Sequence, residues 1–375
     1  IGAYALDAAT TANGNSAVGY NALGAATTGN YNVAMGYQAL LANVDGDRNV
    51  AVGSSALQAL DPASNVDMYN VAVGHNAGLT VTTGVQNTLI GGEAGGTITT
   101  ASNNTGVGYS ALQANTSGTD NVAVGSNALD ANSTGSDNTA IGDNALGAVT
   151  TGSDNTAVGS SALLASTGAG NTAVGAYALD ANQADDVTAV GKNALTANTT
   201  GTNNVSVGAY SGEAVTTGTN NTFIGAKAGR AVTTASGHTA VGNAALLTIT
   251  TGTTGTAVGF EALKVTTAND NTAVGYQAGV AVSTGASNTI IGSLAGDALT
   301  TGGNTTLVGK DAGGALTTAT SNTAVGQGAL ATSTTGPEHV AIGRLALNLM
   351  ATGEACVAVG NEALKANLGS SNTAV

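Results

Sequence analysis

Tryptophan is absent from these 375 residues, proline occurs twice and cysteine once. A lone cysteine excludes an internal disulfide framework. The 56 glycines do not recur every third residue, which with two prolines excludes a collagen-like chain. Charge is scarce: 8 basic and 22 acidic residues leave a net charge of −14. That sign opposes binding to nucleic acid or to anionic membrane surfaces. No apolar run approaches the length of a membrane span, so no membrane insertion is expected within this segment.

What is present is a repeat. Asn15-Ser16-Ala17-Val18-Gly19-Tyr20-Asn21-Ala22-Leu23 returns as Asn32-Val33-Ala34-Met35-Gly36-Tyr37-Gln38-Ala39-Leu40 and again from Asn271 to Gly279. A glycine after an aliphatic residue occurs 22 times, from Gly2 to Gly360. Of the 21 spacings, 17 are 17 residues, three are 16 and one is 21. Such a period over residues 1–375 predicts one continuous array of stacked coils rather than several globular domains. The chain opens and closes inside a repeat, so a piece of a longer chain is expected.

Counting from each glycine, the preceding residue is always aliphatic, and the residue three after is Ala in 21 of 22 copies. The residue four after is Leu in fifteen copies and Gly in seven. The Thr- and Val-rich run before the glycine reads as a short strand. A second short strand is expected over the Ala-Leu pair. The fold class is therefore all-β, a parallel β-roll or solenoid of about 22 coils stacked at about 4.8 Å, a rod on the order of 100 Å long.

None of the 30 charged residues falls between four before the glycine and the glycine itself, or three or four after it. Unpaired charge is costly to bury, so these are the buried positions. Adjacent strand residues point to opposite faces, and both faces here are apolar. One face fills the coil. The other needs another chain, which predicts a homo-oligomer.

Four before the glycine stands a column of Asn, set to bond amide to amide along the stack. Its first members are Asn15, Asn32, Asn49, Asn70, Asn87, Asn104, Asn121, Asn138, Asn155 and Asn171. His238, His339 and Cys356 occupy the same position and read as structural substitutes. Where Gly replaces Leu, large residues such as Leu89, Phe223, Ile290 and Leu307 often replace the Ala two before the marker. This reads as an exchange of volume between segments.

The 21-residue spacing contains an insertion, residues 61–69, expected to bulge from the turn edge without disturbing the stack. Insertions of this kind carry binding in many repeat proteins. Eight of eleven aromatics lie one or two after the glycine. The candidate binding residues are therefore Tyr20, Tyr37, Asp61, Asp67 and Tyr69. Catalytic and metal sites are not expected, and no cofactor. Three histidines and one cysteine form no cluster, and only Asp137 and Asp154, at equivalent positions on successive coils, suggest a carboxylate pair. Residues 1–190 hold 14 acids and one base, residues 191–375 eight acids and seven bases.

The Ala-(Val/Ile)-Gly-x-x-Ala core, as in Ala17-Val18-Gly19-Tyr20-Asn21-Ala22, resembles the head repeat of trimeric autotransporter adhesins. It also resembles the NTAVGYxAL-type repeats of phage tail fibres. The resemblance covers all 22 markers. It implies a left-handed β-roll assembled as a homotrimer, at a virion or bacterial surface. The adhesin repeats are shorter than 17 residues and place Asn five before the glycine, so their collagen binding is not implied. The expected function is a non-enzymatic extracellular fibre, shaft or adhesive head, meeting a cell-surface glycan or protein receptor. The alternatives are a tailspike-like polysaccharide depolymerase and an ice-binding solenoid; the latter rests on turn pairs such as Thr82-Thr83, Thr216-Thr217 and Thr300-Thr301.

Overall fold

A computed structural model describes residues 1–249, 252 and 254–375. It is all-β, without helix among the described residues, and holds two compact units, Ile1–Asp186 and Val187–Val375. Each unit is a parallel β-solenoid.

In the first unit, three-residue strands recur from Ser16–Val18 to Thr172–Val174, each pairing in parallel with the next. Register follows the repeat: Ala17 opposes Ala34, and Ala140 opposes Ala157. The second unit continues the pattern from Thr188–Val190 to Thr373–Ala374. β-Branched residues three and one before the glycine suit a pleated strand. They leave the small Ala between them to point inward, where it is fully buried in most coils.

The expected second strand over Ala-Leu does not form. That segment is a string of turns in which alternate residues adopt φ > 0, as at Asn21 (54°) and Leu23 (51°). Its amides still bond between coils, in alternating directions. Asn21 N–H donates to Ala3 O at 3.0 Å, and Leu23 N–H donates to Ala39 O at 3.0 Å. Few buried backbone groups are left unpaired this way, the condition any interior segment must meet. All fifteen Leu residues four after the glycine have positive φ. This conformation costs roughly 1–2 kcal/mol for a residue with a Cβ. Burying a leucine returns about 1.5–3 kcal/mol, and these side chains are fully buried in nearly every coil, so packing overrides the local preference.

Where Gly takes that position the strain disappears and the volume comes from elsewhere. A Cβ on Gly313 would lie 2.7 Å from both Leu307 Cδ2 and Leu316 Cδ1. On Gly296 it would lie 2.7 Å from Leu307 and 3.6 Å from Ile290, and on Gly229 it would collide with the Phe223 ring. Phe223, Ile290 and Leu307 thus fill the space over these glycines within their own chain. Leu316 belongs to a further core column, seven after the glycine, which also includes the buried Val81, Ile98, Val149 and Met350.

The insertion does more than bulge. Val66–Asp67 pairs in parallel with Gly46–Asp47 as a second, two-stranded sheet. Asn65 Nδ2 donates to Thr28 O at 3.1 Å, and Met68 is fully buried. The main stack is undisturbed, with Val50 opposite Val71.

Candidate functional site

The side chains three and one before the glycine form the outer face of each strand. They are β-branched in nearly every copy and never charged. The row one before the glycine is half-exposed, with Val124 at 37%, Ile141 at 41% and Met35 at 46%. It is an apolar stripe that none of the described residues of its own chain covers.

Behind this face runs the asparagine column. Asn49 donates both its backbone N–H (2.9 Å) and its Nδ2 (3.0 Å) to Asn32 Oδ1, while Asn32 Nδ2 donates to Gly46 O at 2.8 Å. The same bonds recur at Asn104, Asn121, Asn138 and Asn155. A second asparagine column, seven after the glycine, had no counterpart in the sequence reading. Asn115 Nδ2 donates to Gly118 O and its Oδ1 accepts from Gly118 N–H, both at 2.9 Å. Its signal was recurrence at 43, 115, 132, 182 and 198, masked by aliphatic residues in other coils.

His238 and His339 sit in the first column, almost fully buried. Nδ1 of His238 accepts from Gly255 N–H at 3.0 Å, which assigns the proton to Nε2, 2.7 Å from Gly252 O. Nδ1 of His339 likewise accepts from Cys356 N–H at 3.2 Å. The neutral His238 ring reproduces both the acceptor and the donor of Asn and the His339 ring the acceptor; a charged ring loses that acceptor. Burial holds both imidazoles below the usual histidine range. Their stabilising contribution is therefore complete above the unfolded value of about 6.5 and is lost as pH falls through the lower folded values. The His238→Asn, His339→Asn double variant should melt at nearly the same temperature at about pH 7 and about pH 5, whereas the native chain should lose roughly 2–4 °C per kcal/mol forfeited. Equal acid sensitivity in both, by differential scanning calorimetry, would refute this.

The candidate binding residues fall into two groups. Tyr20 and Tyr37 stack with centroids 5.5 Å apart and planes 10° apart, and Tyr4 packs edge-on against Tyr20 at 5.7 Å. They remain 44% and 53% exposed, but part of each ring face that a sugar needs is taken by a neighbouring tyrosine. The second group is a clamp. Arg48 lies 5.6 Å from the ring centres of both Tyr31 and Tyr69, pairs with Asp67, and donates to Tyr69 Oη at 3.0 Å. Asp61 stands apart, accepting from Val44 N–H at 3.3 Å. No hydrogen bond or ring contact joins the tyrosine stack to the clamp among the described residues. Tyr31 and Arg48 escaped the sequence reading, although Tyr31, Arg48 and Tyr69 all stand five before their glycines.

Asp137 and Asp154 also stand five before, exposed, with φ of 59° and 60°. Their backbone N–H groups bond to Thr119 O and Ser136 O, and their carboxylates have no hydrogen-bond partner among the described residues. Cys356 is buried, with Sγ accepting from Asn372 N–H at 3.4 Å as a ladder member. No group of three or more His, Cys, Asp or Glu side chains able to hold a metal occurs among the described residues. In these turn pairs the first threonine is engaged, Thr82, Thr216 and Thr300 each donating Oγ1 to a carbonyl of the next coil at 3.0–3.2 Å, and the second, Thr83, Thr217 or Thr301, is exposed. No helix is long and apolar enough to cross a membrane among the described residues. No protein-family model matches the chain, and no curated protein matches it.

Proposed function

We propose that this chain is a non-enzymatic, extracellular structural fibre segment. Three copies associate through the outer strand faces, as shaft or adhesive head of an attachment organelle of the phage tail-fibre or bacterial adhesin kind. The observation that carries the reading is the outer face: uncharged, β-branched and half-exposed on strand after strand. A continuous exposed apolar stripe of this extent is the mark of an interaction surface. Its in-register repetition suits a partner with the same repeat, and the nearest such partner is a second copy. The number three and the attachment role rest on the resemblance to adhesin heads and tail-fibre repeats. A receptor, glycan or protein, would meet the remaining surface at the turns and the residues just after the glycine.

Lysine at the outer face tests this. The Val124→Lys, Ile141→Lys double variant should shift the native mass from assembly to single chain. Because both side chains are already more than one-third exposed, the coil itself should lose only about 0.5 kcal/mol per substitution. Light scattering after size exclusion, with far-UV circular dichroism as the folding check, reads both. An assembly that persists with both lysines in place would remove this face from the interface.

A further inference from the structure

The second unit contains an open groove of about 400 Å³ lined by Glu213, Ala214, Arg230, Ala231, Leu247 and Thr248. These are the residues five and six after the glycine on three consecutive coils. Two alanines and a leucine give it an apolar wall, and its polar lining is the Arg230–Glu213 ion pair with Thr248. Arg230 lies over the Tyr210 ring, 5.6 Å from its centre, and donates Nε to Glu213 Oε2 at 2.6 Å. Its two terminal nitrogens make no hydrogen bond among the described residues. Stacking and the Nε bond fix the plane of the fork while leaving its outer edge open, an edge that fits a carboxylate with two parallel N–H donors.

Charge agrees. In a chain of net charge −14, residues 213–264 carry three bases, Lys227, Arg230 and Lys264, and two acids, Glu213 and Glu261. Glu213 pairs with Arg230 at 2.6 Å and Glu261 with Lys264 at 2.7 Å, which leaves Lys227 as the excess charge. Arg230 itself is 45% exposed and Glu213 25%, so a bond to the fork is weakened by added salt.

We propose that this groove binds a carboxylate-bearing sugar ring. The carboxylate sits on the terminal nitrogens of Arg230, and the apolar face of the ring lies against Ala214, Ala231 and Leu247. The volume is in the range of small-ligand sites. The site lies on residues after the glycine and does not require the fibre reading; a single chain or a trimer would present it equally.

The test titrates the full chain with glucuronate and, separately, with the neutral methyl glucoside, followed by saturation-transfer NMR. Glucuronate should bind saturably, weaken with added salt, and exceed the glucoside. Arg230→Gln should weaken it roughly tenfold or more, the worth of a hydrogen bond to a charged group. Ala231→Leu, which fills the groove and keeps the charge, should abolish binding with the circular dichroism unchanged. Equal binding of the two sugars, full affinity in Arg230→Gln, or no saturable binding to the native chain would each overturn the assignment. The native mass, measured on the same samples, separates failure here from failure of self-association.

Discussion

Gly142→Ala should cost about 3–5 kcal/mol, the sum of a backbone conformation open only to glycine and an overpacked contact. Gly142 has φ of 137°, and a Cβ there would lie 2.5 Å from Gly159 O and 2.6 Å from Gly159 C. Both are backbone atoms of the next coil, held by the stack, so neither can yield. The same holds along each column of markers: φ lies between 131° and 146°. This is why the marker never varies, whereas the Leu four residues on can. Gly92→Ala is the control. Its backbone is outside the left-handed region and a Cβ would meet only the Tyr109 ring, at 3.6 Å. That change should be neutral, or stabilising by about 0.4–1 kcal/mol through the unfolded chain. Urea denaturation followed by circular dichroism compares them. Similar losses from both substitutions would mean that the marker glycine is not set by its backbone.

Phe223→Ala should cost about 3–5 kcal/mol, the usual range for emptying a fully buried phenylalanine site. Phe223 is entirely buried and touches the positions where Cβ atoms of two glycines would be, Gly212 at 2.9 Å and Gly229 more closely still. Gly229→Leu alone should cost about 1–3 kcal/mol, because the new side chain meets the ring. Combined, the two changes rebuild the common coil, Ala two before the glycine and Leu four after it. The double variant should therefore be more stable than the sum of the singles by about 2 kcal/mol, in the range seen for residues in direct contact. Strict additivity in a double-mutant cycle would refute the exchange of volume.

These two experiments also mark how far the sequence could be read. Period, strand position, the inward Ala and the Asn spacing follow from where charge is never found, and burial imposes that pattern without regard to detail. The Phe223–Gly229 exchange was visible because one residue's loss coincides with another's gain in the same frame. The turns after the glycine were not. Nothing in Ala-Leu announces φ > 0, and leucine disfavours it; the conformation is imposed by packing between coils. Seven glycines at that position, each tolerant of positive φ, were the available signal. The core column seven after the glycine was hidden by its chemistry, since Val81, Asn115 and Ser166 share one place but no character. The Arg48 clamp was hidden because its members lie 17 and 21 residues apart, and only the coil frame brings them together. It also changes the reading of the insertion. Asp67 and Tyr69 hold Arg48 and fasten the small second sheet, so they do not project as a free loop.

Whether other copies cover the outer strand face is tested most directly by sedimentation equilibrium of the native chain at micromolar concentration. The expected mass is three times the 35.6 kDa of the chain, unchanged on dilution through that range. A folded species of 35.6 kDa at every concentration would contradict it, because the stripe running through Val124, Ile141 and Val174 would then face water with no partner.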